Sequence, residues 1–108
     1  MSAADATTTI YKILTTEQWT AFQADGVFEG NPLDKDDGYL HMSYLPQVAK
    51  THEKFFGGRH DVLLVHVDSS ALLDSGTVRP EANRPGGDVY PHIYGTIPIA
   101  AVIKTEPL

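Results

Sequence analysis

Residues 61–68 read Asp-Val-Leu-Leu-Val-His-Val-Asp, a run almost wholly apolar and rich in β-branched side chains. A strand with one wet face alternates polar and apolar positions. This run does not alternate, so it is expected to be a strand covered on both faces and central in its sheet. His66 within it is expected to be structural. The rest of the chain must supply neighbouring strands and a covering layer, and 108 residues leave room for one domain with its own core but not for a second.

Residues 1–9 are small and polar and are expected to form a flexible leader to a single domain spanning 10–108. Residues 9–14 (Thr-Ile-Tyr-Lys-Ile-Leu) suit a first strand, with Ile10 and Lys12 on one side and Tyr11 and Ile13 on the other. Thr15-Thr16-Glu17-Gln18 has the form of a capping box, and Leu14 with Trp19 matches a hydrophobic staple. A helix therefore begins here, and Asp25-Gly26 stops it. Residues 27–33, interrupted by Gly30 and Pro32, are expected to be irregular and extended, feeding an acidic loop at 34–37. That loop lacks the Gly and distant Glu of a calcium-binding loop, so a solvated turn is expected.

The stretch Asp37-Gly38-Tyr39-Leu40-His41-Met42-Ser43 reads as a turn and a short strand. Alternation places Tyr39, His41 and Ser43 on one face and Leu40 and Met42 on the other, which suits the lining of a polar cleft. Pro46 fits the first turn of a helix over 47–56, stopped by Gly57-Gly58, with Val48, His52, Phe55 and Phe56 on one stripe. Its first turn is expected near that polar face, an anion-friendly arrangement. Farther on, Pro80 in Val78-Arg79-Pro80-Glu81 points to an edge strand, leaving Glu81 at an exposed margin. Residues 83–88 form a loop by composition. Tyr90-Pro91-His92-Ile93-Tyr94-Gly95 then sends His92 and Tyr94 to the same side. Residues 97–106 close the chain as a final strand.

Composition narrows the function. Cysteine is absent, which excludes disulfides, thiol nucleophiles and cysteine-ligated zinc, and a cytoplasmic location is expected. No apolar run approaches the roughly 20 residues that span a bilayer. The formal net charge is −6, with Lys and Arg scattered singly, so no positive field awaits double-stranded nucleic acid. A small anionic ligand held by local donors remains compatible.

Tyr39, His41, Ser43, Glu81, His92 and Tyr94 are the groups expected to converge. Ser43 lacks the Gly-x-Ser-x-Gly elbow of a nucleophilic serine. A metal-dependent hydrolase using His41, His92 and Glu81 has allowable ligand types but no defining spacing. Aromatic rings, a helix N-terminus and a histidine suit a nucleotide: rings stack on the base, amides take a phosphate and imidazole bonds a ribose hydroxyl.

Four motifs, Ile10-Tyr11-Lys12-Ile13, residues 37–43, Arg79-Pro80-Glu81 and residues 90–95, resemble in their order a family of short uncharacterised domains, DUF 952. That family is in turn similar to the ADP-ribosyltransferase fold, including the tRNA 2′-phosphotransferases. The resemblance implies an α+β domain with a split mixed or antiparallel β-sheet and two main helices that clamps NAD or an ADP-ribose-like nucleotide. It implies ADP-ribosyl or 2′-phosphate transfer, with His41 and Ser43 in the second-strand role and Glu81 in that of the later glutamate; joined to the convergence read from the residues, His41, Glu81 and His92 are the expected catalytic groups and Lys12, Tyr39, Ser43 and Tyr94 the expected nucleotide-binding ones. Lys12 departs from the pattern, because a histidine that contacts ribose is expected on the first strand; an ammonium is a flexible point charge better matched to phosphate. A non-catalytic binding or interaction module of the same fold is the alternative.

Overall fold

Thr15 ends the first strand and caps the first helix. Its hydroxyl accepts from the Gln18 N–H at 3.1 Å, and the Gln18 side-chain oxygen accepts from the Thr15 N–H at 3.0 Å. The capping box thus forms as the sequence anticipates and fixes the joint between β1 (Thr9–Thr15) and α1 (Thr16–Asp25). The computed structural model describes residues 9–82 and 84–108, without the side chain of Leu73. The expected leader, apart from Thr9, lies outside the described residues, as does Asn83.

After α1 come β2 (Val27–Phe28), α2 (Pro32–Asp37), β3 (Leu40–His41), α3 (Val48–Phe56) and β4 (Val62–Asp68). The chain continues through β5 (Gly76–Ala82), β6 (Val89–Gly95), β7 (Ile97–Pro98) and β8 (Val102–Pro107). The strands form three antiparallel sheets ordered β1-β4-β8, β2-β7 and β3-β6-β5. The molecule is therefore a small α+β domain of several antiparallel sheets and few helices. Among the described residues, no helix is long and apolar enough to cross a membrane.

The β4 strand is central in its sheet, with cover on both faces, as its continuous apolar run requires. Val65 and Val67 join Ile10, Leu14, Phe22, Met42 and Ile93 in the main core, while Val62 and Leu64 pack with Ile13 and Val48 beneath α3. Each fully buried aliphatic or aromatic side chain contributes roughly 1.5–3 kcal/mol. His66 bonds Glu106 through Nε2 at 2.6 Å, a cross-strand pairing with β8. The β5 strand, carrying Pro80, is an edge strand.

Three expectations need correction. The acidic loop at 34–37 is helix α2, because Asn31 caps it: its side chain accepts from the Asp34 N–H at 2.9 Å and Pro32 occupies the first turn. The two main helices, α1 and α3, are thus accompanied by this shorter one. The final strand is broken: β7 pairs with β2, a 3₁₀ turn at Ile99–Ala101 redirects the chain, and β8 pairs with β4. The third concerns the stripe on α3, where Val48 is buried and Phe56 packs beside it, while Phe55 is 55% exposed.

A backbone bridge ties the edge of β1 to the chain just after β3. Tyr11 and Ser43 form an isolated bridge, with Tyr11 N donating to Ser43 O at 2.9 Å and Ser43 N to Tyr11 O at 2.8 Å. This seam sets Lys12 beside His41 and shapes the cleft described next.

Candidate functional site

A cleft of about 560 Å³ opens between α2, the flank of α3 and the β5–β6 loop, with β1 and β3 as its floor. That volume suits a small organic ligand. His41, His92, Ser43 and Lys12 line it. The register that makes His41 and His92 cross-strand neighbours brings their rings to 5.8 Å between centroids. Sequence positions 41 and 92 thus meet in one hollow.

The floor is organised by Asp34, which the sequence reading assigned to a solvated turn. Its carboxylate is buried and accepts from Lys12 Nζ (3.1 Å), His41 N (2.9 Å), His41 Nδ1 (2.7 Å) and Asn31 N (2.9 Å). Burial alone would raise its pKa. The bonds from His41, the Lys12 charge and the backbone amides of Asn31 and His41 outweigh that and hold the carboxyl down at about 2. Lys12 is the reciprocal case, since burial pushes the ammonium below its ordinary value against the pull of Asp34. Its Nζ also donates to His41 O at 2.8 Å, so the ammonium is engaged by protein oxygens. His41 Nε2 reaches Asp37 Oδ2 at 2.8 Å. With a carboxylate at each ring nitrogen, only an imidazolium donates to both at once.

The second histidine is held differently. His92 Nδ1 lies 3.0 Å from Glu81 Oε1, and the Tyr94 hydroxyl donates to the same oxygen at 2.6 Å. These two bonds hold the Glu81 carboxyl below its usual range, and the Glu81 bond raises the Tyr94 phenol. The Tyr39 ring stacks on His92 at 4.1 Å and 25°, and Arg79 lies 4.9 Å over Tyr94. Tyr39, Tyr94 and Glu81 are therefore not in the cleft wall; they form a layer behind His92 and reach the cleft through it. The tyrosine rings expected to stack a base are already packed against His92 and each other.

Ser43 is buried, its hydroxyl donating to Thr51 Oγ1 at 3.2 Å on the cleft wall. The cleft meets α3 along Lys50, Thr51, Lys54, Phe55 and Phe56, so the helix offers its side rather than the first turn expected there. Lys and Arg, scattered along the sequence, gather in space: Lys12, Lys50, Lys54, Arg59 and Arg84 line this one cleft, five of the chain's 8. Among the described residues, only two carboxylates, Asp34 and Asp88, do so. Leu33 and Phe55, exposed at 45% and 55%, add apolar surface to its lining. Among the described residues no group of three or more His, Asp or Glu has metal-holding geometry, which leaves a metal-dependent hydrolase without a ligand set there.

Sequence reasoning missed Asp34, Phe55 and the cationic wall. Asn31-Pro32-Leu33-Asp34 carried the signal for the first, with a cap, a proline at the first position and an acid at the third. Lys50 and Lys54, four apart on a helix, carried it for part of the wall.

The family model described as a protein of unknown function, DUF952, matches residues 13–105. The crystal structure of protein CC0527 from Caulobacter crescentus is similar at 36% identity with a TM-score of 0.82, covering 94% of this chain and 86% of that one. The solution NMR structure of CC0527 is similar at 36% identity and a TM-score of 0.79, covering 94% and 84%. No match was found among curated proteins. On the extent of the family match, the chain belongs to the DUF952 family of proteins of unknown function.

Proposed function

We propose that this domain binds a nucleotide in the cleft between α2, α3 and the β5–β6 loop, with NAD or an ADP-ribose-like molecule as the ligand class. The observation that carries this reading is the charge distribution: a chain of net charge −6 collects five of its cations, against two carboxylates, around one ligand-sized hollow. Phosphate answers what is left of that excess once Lys12, Lys50 and Arg59 have paired with carboxylates, namely the charges of Lys54 and Arg84. Phe55 and Leu33 in the same lining give a base an apolar surface. His41, Ser43 and His92 stand in the same lining, each already bonded within the protein. Likeness to the ADP-ribosyltransferase fold belongs to the same reading and supplies the reaction class, transfer of an ADP-ribosyl or 2′-phosphate group.

Of the expected catalytic groups, His92 stands in the cleft lining, buried and oriented by Glu81 through Nδ1, so chemistry there would require the ligand to displace what covers the ring. Glu81 itself would act at one remove. This observation favours, as a second reading, a binding module of the same fold without transfer, since the carboxylate that would stabilise an oxocarbenium-like sugar turns toward His92 and Tyr94. Calorimetry with NAD, ADP-ribose and a 2′-phosphorylated nucleotide tests the proposal, followed by product analysis. Saturable binding with one ligand per chain is expected. Turnover selects the transferase, binding without turnover selects the module, and absence of binding by all three overturns both.

A further inference from the structure

Four of the five cations in the cleft already have partners. Lys12 is held by Asp34, Lys50 pairs with Asp88 at 3.0 Å, Arg59 pairs with Asp61 at 2.6 Å, and Lys54 lies 5.3 Å over the Phe55 ring. Arg84 makes no ion pair among the described residues. It opens the turn Arg84-Pro85-Gly86-Gly87, closed by Gly87 N donating to Arg84 O at 3.0 Å, and Gly86 takes the left-handed φ of 76° that such a turn needs at its third position. A Cβ on Gly87 would stand 3.1 Å from Arg84 Cγ and 3.5 Å from its Nε. Glycine there lets the arginine side chain fold across its own loop. Both Arg84 and Gly87 line the cleft.

We infer that Arg84 is the anchor for the ligand's phosphate groups, its guanidinium fork taking two phosphate oxygens while Lys50 contributes charge from α3. Planar guanidinium matches phosphate in a bidentate way that an ammonium does not. The local field agrees: Asp88 raises the Lys50 pKa and Arg84 slightly opposes it, as two like charges near one another do. An anion between them relieves that repulsion. The assignment deepens the nucleotide reading by naming the residue that selects phosphoesters over neutral nucleosides, and it rests on that reading only for the organic part of the ligand.

Titrating the full chain with inorganic pyrophosphate and with ADP-ribose, in wild type, Arg84→Ala, Arg84→Lys and Gly87→Ala, tests it. Removing the guanidinium is expected to weaken both ligands by about 10- to 100-fold, the range of a charge-assisted contact. Arg84→Lys should recover only part of this, and Gly87→Ala, which keeps the charge but crowds the stem, should lose several-fold. Unchanged unfolding midpoints show that each variant folds. Wild-type pyrophosphate affinity in Arg84→Ala overturns the anchor and leaves the nucleotide proposal standing. Arg84-dependent binding of pyrophosphate without binding of any nucleotide keeps the anchor and overturns the nucleotide. Binding of neither ligand by wild type overturns both.

Discussion

A lysine ammonium buried to 4% exposure is tolerable only beside a carboxylate that stays ionised, and Asp34 is that carboxylate. Removing its charge strands Lys12. Asp34→Asn is therefore expected to cost about 3–5 kcal/mol, whereas Asp37→Asn, at a partly exposed carboxylate, should cost less than about 1 kcal/mol. Urea unfolding of the two variants checks the contrast; equal losses would show that the buried pair is not the organising contact. The same carboxyl sets the acid response. Its folded pKa, about 2, lies below the ordinary 3.8, so its contribution is complete above 3.8 and is lost as pH falls from there toward 2. Roughly 2 kcal/mol should disappear in that window, and Asp34→Asn should flatten the pH dependence there. Three aspartates in four residues read as a solvated turn because such runs usually are. The burial of one of them follows from the partner 22 residues earlier, which local pattern does not report.

Elements were legible where one local rule decided them. The capping box at Thr15, the doubly covered strand at Val62–Asp68 and the edge strand bearing Pro80 each follow from residues within a few positions of one another. The pairing of β3 with β6, which sets His41 opposite His92, was anticipated only as convergence, because strand register across 50 intervening residues is a tertiary property. The broken C-terminus was illegible for a related reason: residues 97–107 keep a β-forming composition while their two halves serve different sheets. The β5–β6 pairing depends on a close approach at its far end. Gly95 has φ 148°, faces Gly76 across the ladder, and has no room for a Cβ against the Ser75 carbonyl and the Gly76 backbone. Gly95→Ala should cost about 1–3 kcal/mol and weaken the pairing that holds Glu81 near His92. Amide exchange across β5 and β6 reads this directly; protection equal to wild type would mean that the backbone absorbs the methyl without strain.

The molecule carries two opposing fields toward an anionic ligand. Its net charge of −6 repels the ligand at long range, while the excess of cations in one cleft attracts it at short range. Composition alone displayed the first field; the second exists only after folding gathers Lys12, Lys50, Lys54, Arg59 and Arg84. Salt separates them. At about 0.01 M the screening length is roughly 30 Å, comparable with the 37 × 37 × 28 Å extent of the molecule, so an approaching nucleotide senses the whole negative charge. At about 0.1 M it falls to roughly 10 Å, and the cleft dominates once the ligand is near. The association rate of ADP-ribose should therefore rise between these two conditions, the reverse of ordinary steering toward an oppositely charged protein, while the dissociation rate rises as cleft contacts are screened. Stopped-flow measurements with a fluorescent ADP-ribose analogue resolve both rates. A monotonic fall of the association rate from the lowest salt would mean that the cleft's field already governs the encounter at long range, and that the surrounding carboxylates do not oppose it.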